Sequence, residues 1–105
     1  MLIEVSTIYD PTQPVETIGM AVANRIVDAL QSVPQDESVR VSLAGVRGAG
    51  SSFYNVMLRG VEKWVGMQAL ETRVRFEFDL KPQEFVFGQS LRALRAERRS
   101  SGSRS

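Results

Sequence analysis

Ser51 and Ser52 close a glycine-spaced stretch, GVRGAGSS, directly before an apolar periodic run, and hydroxyls so placed suggest three chemistries. The first is phosphate binding. A P-loop cradles phosphates with backbone N–H groups and needs a lysine after its glycines. Here Gly45, Gly48 and Gly50 lead into Ser51, Ser52 and Phe53 with no lysine, and their GxxGxG order reverses the dinucleotide fingerprint. The second is acyl transfer from a nucleophile elbow, which requires G-x-S-x-G and a base. The chain has no histidine, and nothing in the sequence places Lys63 or Lys81 beside Ser51 for a Ser–Lys pair. The third is punctuation: serine accepts hydrogen bonds from the free N–H groups of a helix's first turn. With neither histidine nor cysteine in the chain, disulfides, thiolate nucleophiles, His-based triads and the usual zinc sites are excluded. The expectation is a protein with no catalytic residue, no cofactor and no metal.

The elements that must position this loop follow from periodicity. Leu2 to Ile8 is β-branched, with Glu4 and Ser6 on one side and Ile3 and Val5 on the other, which predicts a short strand ended by Asp10-Pro11. Val15, Ile18, Val22, Ile26, Leu30 and Val33 then recur at helical spacing, with Pro14 suited to the first helical position. Val39, Val41 and Leu43 alternate with polar or small residues as a second strand. After the loop, Phe53, Met57, Val61 and Trp64 mark one helical face, which makes Trp64 core or semi-buried, with Met20, Met57 and Met67 as core filler. Gly60 lies inside that helix at a cost of about 1 kcal/mol relative to alanine, offset if the helix approaches the sheet closely. Val74, Phe76, Phe78 and Leu80 alternate with Arg73, Arg75, Glu77 and Asp79, giving a third strand with one wet face. Pro82 opens a last helix carrying Phe87, Leu91 and Leu94, although Phe85 to Phe87 read equally as a brief strand. The order βαβαβα, with a polar side on every strand, predicts a small two-layer α/β sandwich: a mostly parallel sheet with helices packed on one face. Residues 1–98 form the domain, and 99–105 a disordered basic, serine-rich tail.

Val41 to Val61, VSLAGVRGAGSSFYNVMLRGV, resembles the STAS-like domain: a strand ending in Gly-Val, a short loop, a serine pair and an amphipathic helix. The likeness is to an uncharacterised bacterial STAS-like family related to anti-sigma-factor antagonists and sulfate-transporter STAS domains. It implies a non-enzymatic signalling module that regulates by protein–protein interaction, and the N-terminal residues, with Glu4 and no long apolar stretch, lead to the expectation of a cytoplasmic protein. The partner that the likeness implies is a histidine-kinase-like ATPase or another signalling component. By position, the resemblance makes Ser51 the phosphorylation site. Gly50 stands where the antagonists carry aspartate, which favours surface recognition over kinase recognition. The expected partner-binding loop comprises Arg47, Gly48, Gly50, Ser51, Ser52 and Tyr54, with Arg47 and Tyr54 exposed. The wet strand face is a second expected contact, for a homodimer. Thirteen basic residues against twelve acidic ones leave a net charge of +1, so the chain has no global electrostatic footprint for nucleic acid. The alternative is a nucleic-acid-associated accessory protein acting through the C-terminal arginines, chiefly Arg95, Arg98 and Arg99 alongside Arg92 and Arg104. The N-terminus lacks the long apolar stretch of a signal peptide or membrane span.

Overall fold

A tight turn cuts the first element short. In the computed structural model, which describes residues 1–102 and side chains to residue 99, β1 spans only Leu2–Glu4. A 3-10 turn over Val5–Thr7 replaces the rest of the expected strand, with Ile8 and Tyr9 N–H both donating to Val5 O. Asp10 Oδ1 accepts from the N–H and hydroxyl of Thr12, a local turn that competes with extended backbone. Pro14 then caps α1, Val15–Ser32, one position earlier than the sequence reading placed it. Ile18, Val22, Ile26 and Leu30 of the predicted stripe are buried, whereas Val15 is exposed.

β2 (Val39–Ser42) pairs with both β1 and β3 (Val74–Glu77), so the sheet has the order β1-β2-β3 with every pairing parallel. Right-handed crossovers laid in one direction put successive helices on one face. Ile3, Val5, Val39, Val41 and Val74 are accordingly buried in a single core with α1 and α2 (Ser51–Arg73). The other face carries Leu2, Glu4, Arg40, Ser42, Arg75 and Glu77, all exposed or half-buried. This is the two-layer α/β sandwich expected, in the order βαβαβα.

α1 and α2 meet through their smallest residues. A Cβ at Gly19 would lie 2.6 Å from Val56 Cγ1, and one at Gly60 only 2.7 Å from Ala23 Cβ. The close approach that Gly60 permits is therefore to α1, not to the sheet. α2 also runs further than its apolar face indicates: it breaks at Gly66 (φ 88°, ψ 161°) and resumes to Arg73. That backbone region is essentially confined to glycine. Trp64 sits in the last turn before the break, beside Asn24, Val27, Asp28 and Gln31 on the outer surface, and is 66% exposed. Its expected burial is thus corrected: the stripe that buries Met57 and Val61 no longer faces the core at Trp64. Arg73, expected on the wet strand face, ends α2 and donates to Leu30 O and Pro34 O, tying down the end of α1.

α3 spans Lys81–Gly102, so Phe85–Phe87 is helical and helix replaces the expected disorder over 99–102. Residues 103–105 of that tail, Arg104 among them, lie outside the described residues. Phe87 packs on Phe76 (4.6 Å between centroids) and Phe78 (5.1 Å), whereas Phe85 faces outward. No helix among the described residues is long and apolar enough to cross a membrane.

Candidate functional site

The loop from Leu43 to Gly50 leaves the carboxyl end of the central strand, where open α/β sheets place their binding loops. Its conformation is set by two left-handed glycines and two buried pegs. Gly45 (φ 86°) and Gly48 (φ 76°) make the reversals, and the residue after each, Val46 and Ala49, inserts into the core. Leu43 N–H extends the β2–β3 ladder to Glu77 O at 2.7 Å, and Val46 N–H turns back to Leu43 O. Ala44 N–H donates to Ser42 Oγ.

Asp79, just beyond β3, clamps the loop. Its carboxylate accepts the Gly45 N–H at 3.3 Å and both terminal nitrogens of Arg47, at 3.1 and 3.3 Å. The Arg47 guanidinium, and then the Gly45 N–H, hold this carboxyl below its usual range. Arg47 is therefore exposed, as expected, but oriented by an ion pair and by a bond to Val46 O.

Around and beyond Ala49 the surface is small and open. A Cβ at Gly48 or Gly50 would meet nothing within 4 Å, and Ser51 and Ser52 are exposed. Gly50 is the N-cap of α2, in extended backbone and with no side-chain cap bond, so Ser51 and Ser52 are its first two helical residues. The capping role is corrected accordingly: Ser51 lies one residue and Ser52 two residues past the N-cap position, which Gly50 occupies. Tyr54 is corrected too. It is wholly buried, with its hydroxyl donating to Gln83 Oε1 of α3 at 2.5 Å. Phe53, Phe78 and Phe87 surround its ring edge-on. One turn into the helix, position 54 has already rotated from the loop surface onto the core face. Burial pushes its phenol up to about 12.

Arg47, Gly48, Gly50, Ser51 and Ser52 thus share one surface, and Tyr54 lies beneath it. Asp79 is the member that sequence reasoning missed. The signal was topological: the ends of adjacent parallel strands bring the residue after β3 beside the loop after β2. The C-terminal arginines belong elsewhere. Arg95 pairs with Glu71 (3.0 Å) and Arg98 with Glu62 (2.6 Å), while Arg59 reaches Glu97 (2.6 Å), so these charges fasten α3 to α2. Arg99 is exposed. Among the described residues no group of three His, Cys, Asp or Glu side chains could hold a metal ion. Comparison with protein-family models, curated proteins and solved structures finds no match to this chain.

Proposed function

We propose that this chain is a non-enzymatic, STAS-like interaction module that regulates a protein partner through the Arg47–Ser52 surface. The supporting observation is the combination of rigidity and openness there. Val46, Ala49 and the Asp79 clamp fix the loop, and Gly48 and Gly50 leave its backbone clear for close approach. A preorganised surface loses little conformational entropy when a partner docks. A histidine-kinase-like ATPase or another cytoplasmic signalling component is the partner in keeping with the resemblance. Ser51 is the position at which phosphorylation would switch docking. A phosphate there adds a charge of about −1.5 to −2 at a helix N-terminus, where free N–H groups and the macrodipole favour it. Docking then changes without loss of fold.

Affinity capture from the native host, with wild type and Ser51→Asp side by side, tests this. The aspartate suits the first helical turn, so the melting temperature is expected to hold or rise slightly. Loss of a captured partner from a variant that still melts normally supports the reading. Full retention of every captured protein by Ser51→Asp and by Arg47→Glu overturns it.

A further inference from the structure

The uncovered side of the sheet carries an ordered charge pattern. Register aligns Leu2, Arg40 and Arg75 in one row across the three strands, and Glu4, Ser42 and Glu77 in the next outward-facing row. Because all strands run the same way, one end of the face is cationic and the other anionic. Arg40 is bound diagonally by Glu77, at 2.8 and 3.0 Å. Arg75 and Glu4 make no ion pair among the described residues. All-parallel sheets occur almost entirely with both faces covered, and here only one is.

We propose that a second copy of this chain covers the face, stacked sheet to sheet with its strands reversed. Reversal sets the arginine row of each copy over the Glu–Ser–Glu row of the other. Arg75 then faces the partner's Glu77 and Arg40 the partner's Ser42, and two-fold symmetry repeats each contact. A same-direction stack would set arginine on arginine and glutamate on glutamate, a like-charge arrangement that opposes association. The charge pattern therefore selects both the occupant and its orientation. Its area sets the strength. Three strands about 4.8 Å apart and three or four residues long cover at most roughly 14 by 13 Å. This is far below the about 800 Å² per partner of a standard stable interface, so the dimer is weak and reversible. The inference is independent of the Arg47–Ser52 reading, because the two surfaces share no residue.

Sedimentation equilibrium of the full chain over a wide concentration range provides the test. The average mass is expected to climb towards that of two chains at low salt and to fall back at high salt. Arg75→Glu sets glutamate against the partner's Glu77 and lowers the association constant about tenfold or more. Combining it with Glu77→Arg restores opposite charges across the interface and recovers association. Circular dichroism checks that each variant is folded. A wild type that stays monomeric at its highest soluble concentration overturns the proposal and leaves the face to a different protein. So does a folded Arg75→Glu variant that associates as well as wild type, or a folded double variant that recovers nothing.

Discussion

At the root of α2 the phenol of Tyr54 is sealed among Phe53, Phe78 and Phe87, and this gives the domain an alkaline limit. The group titrates near 10 when free and about 12 when folded, chiefly because burial disfavours the phenolate. Between those values the unfolded chain has lost its proton and the native chain has not, so stability falls as pH rises from about 10 to about 12. Tyr54→Phe should flatten that limb in denaturant midpoints measured against pH, while costing about 1 kcal/mol near neutrality for the bond to Gln83. A second single-residue effect sits where α1 crosses α2. Gly60→Ala gains about 1 kcal/mol of helix propensity but drives its methyl into Ala23, 2.7 Å away. Overpacking of this kind costs about 1–3 kcal/mol, so net destabilisation is expected on urea unfolding. Adding Ala23→Gly removes the obstructing methyl, and the two changes should prove non-additive in a double-mutant cycle. The sequence marked Gly60 as an anomaly. Whether it faced a helix or the sheet depended on a crossing of α1 and α2 that no local pattern encodes.

The loop before α2 and the break within α2 are matters of whole elements. Asp79 belongs to one connection and holds another, and its depressed pKa arises first from Arg47. The clamp is intact above the carboxyl's unperturbed value of 3.8 and is lost as pH falls through the lower native value. In an acid titration followed by NMR, the Gly45 amide should therefore move at pH values below the ordinary aspartate range, and Asp79→Asn should abolish that movement. The periodic elements were readable because each has a single buried side. α1 displays this at Ile18, Val22, Ile26 and Leu30, and β2 at Val39 and Val41. What escaped was aperiodic. The glycine at 66 resembles a helix end, yet the chain resumes its helix and passes from Arg73 straight into β3. Ser51 and Ser52 look like caps by residue type, but extended backbone at Gly50 sets the boundary one residue earlier.

Across the whole molecule, α3 is fastened at one end by aromatic packing and at the other by ion pairs, Arg59–Glu97, Arg95–Glu71 and Arg98–Glu62. Removing residues 97–105 deletes two of those pairs and leaves Leu94 in the core. Ion pairs this exposed contribute little to stability. The shortened chain should therefore fold and melt only slightly below the full chain in scanning calorimetry. Retention on a nucleic-acid column that vanishes with this deletion would support the arginine-tail alternative. The position of Arg95 and Arg98 against α2 argues for an architectural role instead. The βαβαβα architecture followed from the order of elements and the polar side of every strand; Trp64 and Tyr54 exchanged their expected environments because helix packing, not residue type, decides which face is sealed.

The strand order has a further consequence for how the molecule comes into being. Each strand lies beside the one synthesised immediately before it, so every pairing closes over a single intervening helix. No strand has to leave a gap for a later one, and loop-closure entropy grows only slowly with the length of the intervening segment. The sheet is thus laid down strand by strand in the order of synthesis, and α3 arrives last to seal the core with Phe87 and Leu94.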